Sequence, residues 1–382
     1  MSASTRAATG FGDLMAIARK LHIGWVWFGI LSLVAITAYF VVEGSAFHLY
    51  VLNTCLLAVF GAIALNLLMG TAGLVSIGNS AFLAAGAFSA VFAIKSGIPF
   101  PADLAVAALV AAAVGMVIGL PALRLRGLHL ALATLAGFFI VTYFGNEYQS
   151  KAKGGGSGGF FVPVLYQSQG LTGGQQYWAW TLLVLVAVLI LGATRLDRER
   201  SGRAWRTIRD HEIVAHTLGI PVTRYKMSAF AISSAVIGFQ GALAAHLSGS
   251  VSVDQYTLGL AIAYIAMVLI GGLDSVLGAV IGAFLVTSLP TIVPAVITTV
   301  LGTTTTAIRV PAIAEIIYGL LVVLFITSSP QGIVGLLRAI FRTPPVARAL
   351  ARLPSTAAGM SSQGHRGDQS LDQVSKGKER ET

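Results

Sequence analysis

The sequence predicts an all-α protein, a polytopic bundle of about ten transmembrane helices. Three observations carry that prediction. Hydrophobic residues make up 55% of the 382-residue chain, and its mean hydropathy is +0.81. Apolar runs recur along it, most of them long enough to cross a hydrocarbon core of about 30 Å. Only 10% of the residues are charged, and they fall almost wholly in the gaps between those runs. The +10 balance does not point to nucleic acid, because the basic residues carry no base-reading motif.

The runs occupy residues 24–42, 49–69, 80–94, 104–120, 128–144, 178–193, 225–247, 257–272, 276–293 and 310–326. Residues 1–23 carry Arg6, Arg19 and Lys20 ahead of the first run. No small-x-small cleavage site follows, so that run reads as a retained span and not a signal peptide. Ten spans put both termini on one side. With Arg6, Arg19 and Lys20 in the cytoplasm, 21 of the 25 Lys and Arg are cytoplasmic. Lys95, Lys151, Lys153 and Arg309 stay outside, as the positive-inside rule expects. Nine spans would separate the basic stretches, so ten is the better number. The protein is thus expected in the cell membrane, with both termini cytoplasmic.

Three regions interrupt the spans. The external loop 146–177 contains the run Gly154-Gly-Gly-Ser-Gly-Gly159, which is low in complexity and reads as flexible. Residues 343–382 begin Thr-Pro-Pro and continue in Ser, Gln, Gly and charges, which predicts a disordered cytoplasmic tail. A basic stretch at 338–352 suits anionic membrane lipid. The transmembrane domain itself is read as 24–342.

The third interruption, 195–226, is the most polar. It holds eight basic and four acidic side chains, and a central charge in hydrocarbon costs about 2.5–3.5 kcal/mol on insertion scales. It must form a surface outside the bilayer. Its pattern predicts two short helices, with Asp210 as N-cap, Glu212 in a positive first turn and Gly219 in the closing left-handed position. Ile213, Val214 and Leu218 give the second helix an apolar side. Such a platform most simply docks another protein.

Glycines mark the remaining candidates. Gly70, Gly73, Gly78 and Gly86 share the stretch 66–87 with Ser76, Asn79 and Ser80. Non-helical backbone at membrane depth survives only when buried in protein or lining a wet cavity. These residues therefore border a translocation path or form a tight turn with packing glycines, and the residues alone leave both readings open. Gly115–Gly119 and Gly278–Gly282 form GxxxG faces for helix packing. Glu315 lies inside an apolar run, as a pathway carboxylate or as a group reaching for the surface.

Other motifs lead nowhere. His211 and His216 are five apart and diverge by about 140° on a helix, unlike zinc ligands at i and i+4. Gly155-Gly-Ser-Gly-Gly159 has no strand before it and no helix pattern after it, as a nucleophile elbow requires. Cys55 is the only cysteine, which excludes an intramolecular disulfide. No GxxxxGK[ST] occurs, so a phosphate-cradling loop would belong to another polypeptide.

Taken in order, several blocks resemble the permease subunits of ATP-binding-cassette importers, of the branched-chain amino acid (LivM) type. They are Gly73–Ala87, Pro121–Gly127 with Ala133-Thr-Leu135, Gly202–Lys226, and Met267–Gly278 with Pro330–Gly335. The chain departs from the family's pattern at Asn79, His129 and Asp274. The resemblance implies a type II ABC-importer-like fold, no catalysis, and no cofactor in this chain. It implies a homologous permease subunit, two cytoplasmic ABC ATPase subunits and an external substrate-binding protein as partners. It makes 195–226 the ATPase-coupling loop, with Arg203, Arg206, Arg209, Asp210, Glu212, Ala215 and Gly219 as its candidate residues. Leucine, isoleucine and valine are the solutes it implies, although related permeases carry urea or short amides. An ion-coupled carrier, for which Glu315 is nearly the only buried ionisable candidate, and a passive channel are the alternatives outside the class.

Overall fold

Helix α2 (Ala46–Asn66) is the axis of the bundle. Its sequence is apolar on every side, and 89% of its membrane-crossing window is buried by other helices. A helix without a polar face belongs inside a bundle. Leu56, Val59 and Ile63 of α2 pack in one core with residues of α6 (Gly170–Arg198), α9 (Val222–Ser248), α10 (Leu258–Gly271) and α11 (Val276–Leu301). The second layer is α3 (Asn79–Lys95), α4 (Ala102–Gly119) and α5 (Leu128–Lys151), all against α9 or α3. A short helix α1 (Gly29–Val42) precedes α2.

The computed structural model describes residues 29–301 apart from 43, 124, 126, 153–157, 167–169 and 274, together with 316, 319, 320 and 323. These all belong to one unit, Met1–Leu336. The N-terminal segment 1–23, most of the predicted tenth span, Glu315 and the tail 343–382 lie outside the described residues. Within them, nine helices coincide with the first nine predicted spans. Seven are long and apolar enough to cross a membrane, while α1 and α3 are shorter.

Small residues set the helix spacing. A Cβ on Gly86 of α3 would strike the backbone of Gly238 on α9. Gly115 and Gly119 of α4 face Ser234 and Phe230 of α9, and Gly278 and Gly282 of α11 face Gly271 and Met267 of α10. Both GxxxG pairs therefore pack helices, the role small residues play where lipid removes the hydrophobic drive.

Two helices outrun their apolar segments. α5 continues to Lys151 through Glu147, which pairs with Lys151 one turn later, and α6 already begins at Gly170. The all-α reading also misses one feature. Phe160–Phe161 (β1), just after the glycine run of the external loop, pairs antiparallel with Ser250–Val251 (β2). Phe160 is buried against Phe88 and Tyr148, and Lys95 Nζ sits 3.8 Å above its ring. Beside this clasp lies a pair no motif announces. Nε2 of His246 (α9) is 2.5 Å from Oδ2 of Asp103 (α4), and its Nδ1 is 3.2 Å from the Pro163 carbonyl. Both side chains are buried.

Candidate functional site

At the other end of the bundle, residues 195–226 fold as the two short helices that their charge pattern predicts: α7 (Arg200–Asp210) and α8 (Glu212–Thr217). α7 is amphipathic. Its Ala204, Trp205 and Ile208 are buried, and the Trp205 indole N–H donates to the Tyr225 carbonyl at 2.8 Å. That bond fixes α7 to the first turn of α9.

The three candidate arginines on α7 each have a partner. Arg203 donates to the Arg198 carbonyl at 2.9 Å, at the end of α6, where a cation complements the helix dipole. Arg206 forms an ion pair with Asp197 of α6. Arg209 reaches toward the bundle, where Nη1 donates to the Gly70 carbonyl.

Asp210 corrects the sequence reading. It is the last residue of α7, not the N-cap of α8, and its carboxylate accepts from Arg209 Nε at 3.2 Å. His211 holds the extended cap position, without a side-chain cap bond. The neighbouring guanidinium engages the carboxylate that would otherwise bond the α8 amides. Glu212 does open α8, and it accepts from Lys226 Nζ at 2.8 Å, with the two side chains only 16% and 5% exposed. Gly219 has φ +74, and the N–H groups of Gly219 and Ile220 turn back to His216 and Ala215. This is the glycine-type ending the sequence predicts.

The apolar side of α8 that the sequence predicts is largely exposed. Ala215 alone is buried, against Ile208 and Val222. Ile213, Val214 and Leu218 are 74%, 47% and 68% exposed. A six-residue helix closes against its neighbours over so small a face that one methyl group fills it.

Behind the platform lies the break between α2 and α3. α2 runs on into a π-helical turn, Leu67–Thr71, and the chain then continues without regular structure to α3. Ser76, Asn79 and Ser80 are all fully buried there. Ser76 Oγ accepts from Gly78 N–H at 3.3 Å, and Ile77 N–H donates to Thr134 on α5 at 3.0 Å. Both polar atoms of the Asn79 amide and the Ser80 hydroxyl have no hydrogen-bond partner among the described residues. A cavity of about 600 Å³ separates break from platform, lined by Gly73, Leu74, Gly127, Arg209, Glu212 and Lys226 among others. The structure thus brings Arg209 and Glu212 onto the edge of the break, while Arg203 and Arg206 stay against α6.

The site contains residues that sequence reasoning missed. Lys226 is the partner of Glu212, Asp197 that of Arg206, and Thr71 donates to Asp197 at 3.4 Å. A basic residue just inside an apolar run was the available signal for Lys226.

A helical bundle that crosses a membrane many times, with a structured platform beside a broken helix, has the build of a transport permease. The chain belongs to the family described as the branched-chain amino acid transport system permease component, which matches residues 47–326. This is a family of transport components, not of enzymes. The chain is similar to the high-affinity branched-chain amino acid transport system permease protein LivM of Salmonella typhimurium, at 34% identity over 241 residues. It is similar to LivM of Escherichia coli at 33% identity over 241 residues. Each match covers 56% of this chain and 56% of the relative, so the chain spans little more than half the length of these curated relatives. No solved structure matches.

Proposed function

We propose that this protein is the membrane-spanning permease subunit of an ATP-binding-cassette importer. It carries leucine, isoleucine and valine handed over by an external substrate-binding protein. A homologous permease completes the path, and two separate ATPase subunits power it from the cytoplasm. The observation that carries the reading is the exposed apolar side of α8. Ile213, Val214 and Leu218 are exposed on a helix that Ala215 and the Glu212–Lys226 pair hold against α7 and α9, with Ile213 and Val214 at the mouth of the cavity. Exposed apolar side chains on a rigid support mark a protein contact. In this reading Arg203, Arg206, Arg209, Asp210, Glu212, Ala215 and Gly219 build the coupling platform. Asn79 and Ser80 are the polar groups nearest a solute path. Their unused hydrogen-bonding capacity, which costs about 1–3 kcal/mol per buried group, is available when the break rearranges. Ser76 has the lesser role of closing the turn.

Branched-chain solutes fit an interior of aliphatic and small side chains with scattered amide and hydroxyl groups. Deleting the gene and measuring uptake of radiolabelled leucine, urea and a short amide tests the assignment. Loss of leucine uptake alone is expected. Unchanged leucine uptake with loss of urea or amide uptake would overturn the solute while sparing the transporter.

A further inference from the structure

Two arginines in the last turns of α7 are tied to consecutive residues of the π-turn that follows α2, Arg209 directly and Arg206 through Asp197. Arg209 donates to the carbonyl of Gly70. Arg206 holds one oxygen of Asp197, whose other oxygen accepts from the hydroxyl of Thr71 at 3.4 Å. Residues 70 and 71 close the π-turn of α2. The N–H of Leu74 returns to Leu68 at 3.0 Å, and the guanidinium takes the Gly70 carbonyl. The stem of Arg209 has room to make this reach because residue 73 is glycine. Its φ is +69, and a Cβ there would collide with the Arg209 side chain. Gly70 is hemmed on its far side by the Leu273 carbonyl in the α10–α11 turn. From this clamped point the irregular segment leads to Asn79 and Ser80.

We propose that Arg209, seconded by Arg206 through Asp197, is the positioning residue that transmits motion of the platform to the α2–α3 break. The tie from Arg209 is direct: no intervening helix must repack for a shift of α7 to pull on Gly70, while the link to Thr71 passes through Asp197 at the end of α6. Both links are charge-assisted, and such hydrogen bonds are about twice as strong as neutral ones. The irregular segment beyond them can follow, since it carries no helical hydrogen-bond ladder to resist. The inference rests on the platform being the ATPase-docking surface. It adds the route by which docking reaches the path.

The test uses the full transporter, purified with its companion permease, ATPases and binding protein and reconstituted in liposomes. The quantity read is solute moved per ATP hydrolysed, with ATPase co-purification measured alongside. Arg209→Gln is expected to co-purify normally while the transport ratio falls about tenfold, within the usual range of coupling between sites. Arg209→Lys, which keeps a cationic donor for one carbonyl, recovers part of that ratio. Asp197→Asn loosens the second link and lowers the ratio less, which keeps the idea testable should Arg209→Gln fail to accumulate. A normal ratio in Arg209→Gln, or in Asp197→Asn where only that variant accumulates, would overturn the proposal. So would loss of ATPase binding in Arg209→Gln, because the residue would then serve docking alone. If the unaltered chain does not co-purify with an ATPase at all, the proposed function itself fails, a result distinct from either.

Discussion

Gly219 and Glu212 show how single positions set the platform. Gly219 has open space around it but a left-handed backbone, so a substitution there acts through conformation and not collision. Gly219→Val should cost about 1–2 kcal/mol and misdirect the exit from α8. The variant is expected to reach the membrane at normal level, measured by immunoblot, with weaker solute-stimulated ATP hydrolysis in the assembled complex. Glu212→Lys replaces a largely buried pair with two like charges, and breaking such a pair costs about 3–5 kcal/mol. Glu212→Gln keeps a neutral acceptor for Lys226 and should lose less of the same activity. Full stimulation in Glu212→Lys would remove the pair from the mechanism. Gly219 was legible in the sequence because a helix ending is a local event. The partner of Arg209 was not, since it lies 139 residues away and a backbone carbonyl leaves no mark on sequence.

At the level of helices, close crossings decide stability. Gly86→Leu should force α3 from α9, because the side chain meets backbone and no flexible neighbour can yield. Overpacking of this kind costs about 1–3 kcal/mol or more. A lower melting temperature and loss of a monodisperse peak in detergent are expected. Val117→Ala on the exposed face of α4, 65% accessible, should leave both unchanged. His246→Ala strands the buried Asp103 carboxylate and should destabilise the opposite end of the bundle, read by faster proteolysis near Pro163. Apolar runs located the helices well, because hydrocarbon enforces them. They misplaced the ends of α5 and α6, where helical hydrogen bonding continues into polar residues. They could not find β1 and β2, two residues each, too short for any alternation to show. The Asp103–His246 pair was equally hidden, since each residue sits at the edge of a different span.

For the molecule as a whole, the turns at α2–α3, 121–127 and α10–α11 share the platform's end. Arg209 meets Gly70, Gly70 abuts Leu273, and Leu125 and Gly127 line the platform's cavity. We propose from the charge count that this end faces the cytoplasm. In a Cys55→Ala background, Phe161→Cys should react with an impermeant thiol reagent on intact cells, and Ile213→Cys should not. Both positions are well exposed, so access turns on sidedness. Labelling at 213 from outside would invert the topology.

The clasp between β1 and β2 has a mechanical meaning as well. α9 leads from the clasp to the platform, and its 27 residues make a rod of about 40 Å at 1.5 Å per residue. With its far end joined to β2 in the clasp, it has the geometry of a lever on a fulcrum. A tilt of about 5° at the clasp sweeps the platform through roughly 3.5 Å over such a rod. A stroke of that size exceeds the length of a hydrogen bond, so a small rotation at the pinned end is enough to exchange one set of contacts at the α2–α3 break for another.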